Sequence, residues 1–232
     1  MITYESAELK RWLDLHGPAS RFILTILDNG GEVIEAADTA LVLHQAWADT
    51  LYALGEFTDC ALLHSAGTIM TDRKDWFAEQ MQSGAYADTL IARNAVLIGE
   101  AHTIDVPEGA AVRSLTMDDL PFLLEHYDGF AVDSAYLISC IERGMLGVEE
   151  NGSLAGFIGC HPEGSMGLLY VLPQYRRRHY AEALESALIR RLQAQDRFVW
   201  CQVEEDNTPS WNLQTRLGLV PADLYYWLFR KP

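Results

Sequence analysis

Three consecutive arginines, Arg176, Arg177 and Arg178, stand between a largely apolar run at residues 166–172 and a stretch at residues 180–195. In that stretch Ala181, Leu184, Ala187, Leu188 and Leu192 recur at spacings of three and four. The run reads as a strand buried on both faces and the stretch as an amphipathic helix. A strand feeding a helix through a basic turn is an anion site, because the helix N-terminus presents unpaired N–H groups and a partial positive charge. Guanidinium groups add charge-assisted, often bidentate, bonds to phosphate oxygens. A second group, Glu204, Glu205, Asn207 and Ser210, follows a strand at residues 198–203 and leads into a helix at residues 211–217. Asn207 and Ser210, with Pro209 beside them, suit a turn and a helix start. Glu163, just before the strand at 166–172, and Glu204 and Glu205, at the end of the next strand, are candidate proton acceptors, although Glu204 and Glu205 are equally accounted for as surface carboxylates. His161 and His179 are candidate acids or bases, because histidine is the side-chain type that changes charge near neutral pH, and His179 also reads as a simple turn residue. Cys160 alternates with Ile158 and reads as core rather than as a nucleophile.

These residues need a scaffold. Turn formers Thr103, Asp105, Pro107, Glu108 and Gly109 mark a boundary, which divides the chain into residues 1–106 and 112–232. In the second part the pattern predicts a strand at 112–115, a helix begun by Thr116 as N-cap with Asp118 and Asp119 in its first turn, and a helix over 134–143. Strands follow at 145–150 and 154–160, joined by the Asn151-Gly152 turn, and a last strand at 225–229. In the first part, residues 6–15, 20–27 and 72–81 read as helices. Residues 32–36, 41–45, 51–54 and 61–64 read as strands. The fold class is therefore α+β, with a second, N-terminal α+β domain.

Hydrophobic residues make up 49% of the 232 and charged residues 22%, as in ordinary globular chains. A formal net charge of −16 disfavours nucleic acid and anionic membranes and weakly favours amines as partners. No apolar run is long enough to span a bilayer, and residues 1–5 lack a secretory pattern. Cys60, Cys140, Cys160 and Cys201 are scattered without a CxxC pair, so disulfides are not implied and a cytoplasmic location is expected. The dispersed histidines give no metal spacing. Oligomeric state is not written in the pattern.

Residues 168–177 resemble the fourth strand and following turn of the GNAT superfamily of N-acetyltransferases. The family pattern there is Gln/Arg-x-x-Gly-x-Gly/Ala, against which this chain sets Arg176, Arg177, Arg178, His179, Tyr180 and Ala181. His179 replaces the middle glycine, so its side chain must point away or the loop must shift. Asn207, Ser210, Leu217, Gly218 and Leu219 resemble the family's Asn-x-x-Ser-(x6)-Leu-Gly-Phe segment, which implies that Asn207 and Ser210 approach the CoA arm and phosphates. The resemblance reaches back to residues 112–124 and covers about half the chain. The two-part layout is similar to that of glycine-acyltransferase-like members, and the first half reads as a degenerate GNAT-like copy.

The resemblance implies a mostly antiparallel mixed sheet flanked by helices, with acetyl-CoA or another acyl-CoA as co-substrate and no metal. It implies that the backbone at Leu169, Tyr170 and Val171 polarises the thioester and holds the pantetheine. It implies direct attack by a primary amine of a small molecule or peptide. Many relatives have a tyrosine four residues after the serine, as acid for the leaving thiolate; here Gln214 stands there and cannot supply a proton. The alternative is a non-catalytic acyl-CoA-binding or regulatory module. If Arg176 contacts phosphate, Arg176→Ala is expected to weaken CoA binding by about 1–3 kcal/mol.

Overall fold

A computed structural model describes residues 6–59, 61–127 and 134–230; Cys60 and the chain's first five residues lie outside them. The first half runs α1 (Ala7–His16), α2 (Phe22–Asp28), β1 (Glu32–Ala36), β2 (Ala40–Gln45), β3 (Thr50–Gly55), β4 (Thr68–Thr71), α3 (Lys74–Gln82) and β5 (Tyr86–Val96). The second runs β6 (Ala110–Ser114), α4 (Leu120–His126), α5 (Ser134–Glu142), β7 (Leu146–Glu150), β8 (Ser153–Cys160), β9 (Met166–Val171), α6 (Tyr180–Ala194), β10 (Trp200–Glu204), α7 (Thr208–Arg216) and β11 (Val220–Arg230). The strands form one mixed, mostly antiparallel sheet in the order β1-β2-β3-β4-β11-β5-β10-β9-β8-β7-β6. The expected α+β class stands, and its long sheet suits a two-part layout.

The halves trade their last strands. β5 pairs antiparallel with β10, from residue 200 onward, and β11 pairs antiparallel with β4. The two traded strands also pair with each other along most of their length. Trp200, fully buried, sits at this join: its ring lies 4.9 Å from that of Phe22, and its Nε1–H donates to Thr25 Oγ1 at 2.9 Å. Alternation along the strands divides the interior into two faces. On one, α1 and α2 cover Tyr52, Trp200 and Trp227, while α4 and α5 cover Phe157 and Leu168. On the other, α6 and α7 cover Val148, Cys201 and Val203, while Phe57, Trp76 and Leu63 cover Ala53 and Leu228. Among the described residues no helix is long and apolar enough to cross a membrane.

Two local expectations fail. Residues Ala61–His64 form a 3-10 turn, not a strand; only Leu63 of this short apolar run is buried, and the strand begins at Thr68. β5 went unread because Asp88, Arg93 and Asn94 interrupt its apolar pattern. It is a strand nonetheless because strands on both sides satisfy its backbone. By contrast, Thr116 begins its helix as expected, in a reciprocal capping box with Asp119.

Candidate active site

The site begins where two parallel strands part. β9 and β10 pair at a single position, Met166 with Cys201. Beyond it β9 remains tied on its other edge to β8, Phe157 opposite Tyr170 and Gly156 opposite Val171. The register of that pairing shifts between Phe157 and Gly159, and Leu168 takes a left-handed φ of 53°. This bulge turns β9 away from β10. The β10-facing backbone edge of Leu169, Tyr170 and Val171 is therefore left outside the ladder. Leu169 and Val171 pack toward α6, whereas Tyr170 stacks on Phe157 on the opposite face, ring centroids 5.6 Å apart.

At the far end of β9 the chain makes a 3-10 turn, Pro173–Tyr175, and enters α6. His179 is the N-cap of α6, with a left-handed φ of 62° and no side-chain cap on the first N–H groups. The backbone keeps the conformation that glycine would adopt, and the imidazole is turned out, 67% exposed, 3.4 Å from Glu182. The helix end thus stays open to an anion. The three arginines divide their work. Arg176 Nε donates to the Val171 carbonyl at 3.0 Å, with its guanidinium over the Tyr170 ring. Arg178 forks onto Glu150 and lies over the Tyr175 and Tyr180 rings. Its hydrogen bonds, with that of the buried Tyr180, whose hydroxyl donates to Glu150 at 2.8 Å, hold the Glu150 carboxyl below the usual range. Arg177 is exposed and left-handed, φ 62°, with no ion pair among the described residues. Ala181 packs against the core beneath the helix.

The second cluster opens α7. Asn207 caps it, its Oδ1 accepting the Ser210 N–H at 3.1 Å. Gln214, 2% exposed, donates its Nε2–H bonds to both carboxyl oxygens of Glu185, at 2.9 and 3.1 Å. Burial pushes the Glu185 carboxyl up to about 7, against the opposing pull of Gln214. Among the described residues the Gln214 Oε1 has no hydrogen-bond partner. Sequence reasoning passed over Glu185; its signal was a carboxylate set among Ala181, Leu184 and Leu188 on the apolar side of the helix.

On the face opposite α6 lies a cavity of about 720 Å³. The second half contributes Tyr136 of α5, Gln202 and Glu204 of β10, and His161 to Glu163 of the β8–β9 turn. The first half contributes Thr50 and Tyr52 of β3, Thr68 of β4 and Leu90 of β5, and β11 adds Trp227 and Phe229. Glu163 and Glu204 thus share one cavity, while Glu205 pairs with Arg93 at 2.6 Å and is not in its lining. Glu163 is 7% exposed and accepts from Ser165 Oγ. His161 Nδ1 meets the Tyr136 hydroxyl at 2.5 Å, and enclosure lowers the imidazole pKa. Burial pushes the Cys160 thiol up to about 11, so it is not an anion at neutral pH. Among the described residues no three His, Cys, Asp or Glu side chains gather as for a metal ion.

Residues 110–219 match the model of the acetyltransferase (GNAT) family. No curated protein matches the chain. Among solved structures, a Drosophila protein superposes with a TM-score of 0.66 at 17% identity, over 83% of this chain and 74% of its own. A GCN5-related N-acetyltransferase from Kribbella flavida gives 0.59 at 10% identity, over 92% and 94% of the two chains. A tandem GNAT protein from the clavulanic acid biosynthesis pathway gives 0.50 at 15% identity, over 100% and 98%. With the parted strands, the basic turn and the family match in one place, residues 110–219 form a domain of the GNAT superfamily.

Proposed function

We propose that the chain is an N-acyltransferase, moving an acetyl group from acetyl-CoA to a primary amine by direct attack. Membership of the family already implies acyl-CoA-dependent transfer. The observation that carries the finer reading is the open edge of β9, which runs from the uncapped start of α6 past Leu169 to Val171, with the carboxylate-bearing cavity on the opposite face of the sheet. Arg177 and the first N–H groups of α6 suit a pyrophosphate. Backbone N–H groups of the free edge suit the thioester oxygen as negative charge develops there. The amine nitrogen forms its bond to the carbonyl carbon, and its proton passes to Glu163 or Glu204, directly or through water. The carbon–sulfur bond then breaks and the thiolate takes up a proton from water, since the Gln214 amide cannot give one. On this reading residues 1–106 and 112–232 remain the two parts of one interlocked sheet, the first supplying the cavity's far wall.

A second reading, a module that binds acyl-CoA without turnover, draws on Gln214 being fastened to Glu185 where many relatives carry a tyrosine. Thiol release from acetyl-CoA over a panel of amines separates the two. Amine-dependent release supports transfer; CoA binding without release for any amine class supports the module.

A further inference from the structure

The cavity has a chemical character that narrows its occupant. Trp47, Tyr52, Tyr136, Trp227 and Phe229 form much of its wall. Among the described residues that line it the formal charges are the carboxylates Glu163 and Glu204, with neither lysine nor arginine; Arg143 lies over the Trp47 ring without joining the lining. Its histidine, His161, is pushed toward the neutral form by enclosure. Glu163 is nearly buried, yet no cationic side chain pairs with it among the described residues; its carboxylate accepts from the Ser165 hydroxyl. A carboxylate in such a place is poorly compensated unless a cation joins it. Aromatic walls attract organic cations through the ring quadrupole and also accommodate apolar bodies. A space of this size takes a compact small molecule. A second carboxylate on the ligand would meet Glu163 and Glu204 with like charge, and a polyhydroxylated body would leave its polar groups against rings.

We infer that the acceptor is a small monoamine: an ammonium carried on an aromatic or apolar body, with no carboxylate near the nitrogen. The choice of an amine rests on the acyl-transfer reading; the body and charge rest on the cavity. The ammonium seats at Glu163 and Glu204 and the body against Tyr52, Trp227 and Phe229.

The full-length protein tests this with defined probes. Binding of 2-phenylethylamine, 2-phenylethanol, spermidine and glycine is measured by calorimetry without acyl-CoA, and thiol release from acetyl-CoA is measured for the three amines. Phenylethylamine is expected to bind at least tenfold tighter than phenylethanol, spermidine or glycine, and to have the highest kcat/KM. Glu163→Gln is expected to remove most of the amine's advantage over the alcohol while leaving alcohol binding unchanged. The amine–alcohol pair on the wild-type protein decides the matter if that variant does not fold. Equal binding of amine and alcohol, or tighter binding of glycine or spermidine, overturns the inference. Tight phenylethylamine binding without thiol release upholds the cavity's class and refutes acyl transfer. Release confined to spermidine or glycine does the reverse.

Discussion

The two halves run through the same order of pairing and put it to different use. In each, three strands join antiparallel and a fourth joins parallel: β1, β2, β3 then β4, and β7, β8, β9 then β10. In the first half the parallel pair is closed over four positions, Thr50 with Thr68 through Ala53 with Thr71. In the second it is closed at one. The turn after β3 carries Glu56 and Asp59 and is held by Glu35, which accepts from the Thr58 N–H and hydroxyl. The turn after β9 carries three arginines. A 3-10 turn follows in the first half, and a 15-residue helix with an uncapped start in the second. One sheet pattern therefore gives a wall where its parallel pair is zipped and its turn acidic. It gives a cleft where a bulge unzips the pair and the turn is basic.

The comparison can be broken at several points. The largest expected effect comes from expressing residues 107–232 alone. Without β5, both β10 and β11 lose their inner neighbour, and no cooperative thermal transition is expected by calorimetry; a fragment that melts cooperatively would show that the halves are separable. Next, Trp200→Ala should cost about 3–5 kcal/mol in chemical denaturation, since Trp200 is fully buried between the halves. A loss near zero would mean that they do not share a core. Smaller still, Arg177→Ala should weaken CoA binding by about 1–3 kcal/mol, whereas Glu56→Ala in the counterpart turn should leave it unchanged. Calorimetry with CoA reads both, and equal effects would erase the distinction between the turns. The finest test is pH. The folded chain holds the Glu185 proton up to about 7, above the ordinary glutamate value. The unfolded chain releases it sooner, so this group's stabilising contribution is full at low pH and is lost as pH rises through about 7. Glu185→Gln should flatten the fall in melting temperature between about pH 5 and pH 8; an unchanged profile would place the titration elsewhere.

The second half was legible because its signals are local. The Asn151-Gly152 turn, the Thr116 cap, the spacing of Leu184, Leu188 and Leu192, and the arginine run each lie within a few residues. What escaped depends on distant partners. β5 looks too polar for a central strand until β10 and β11 are beside it. The cavity joins Glu163 to Tyr52 and Trp227, far apart in the chain, and no spacing rule links them. Of the three candidate carboxylates, the strand-end pattern could not tell Glu204 from Glu205. Alternation decides it: Gln202 and Glu204 face the cavity, and Glu205 falls beyond the strand beside Arg93.

The strand trade also sets a timetable for synthesis. β5 is complete once residue 96 has been made, but its inner neighbours begin only at residues 200 and 220. Until then its backbone groups are an open template to which another nascent chain can bind. Low net hydropathy and the charges of Asp88 and Arg93 make that wait safer. A stop codon inside the last eleven residues of the sheet would accordingly injure the part of the protein translated first.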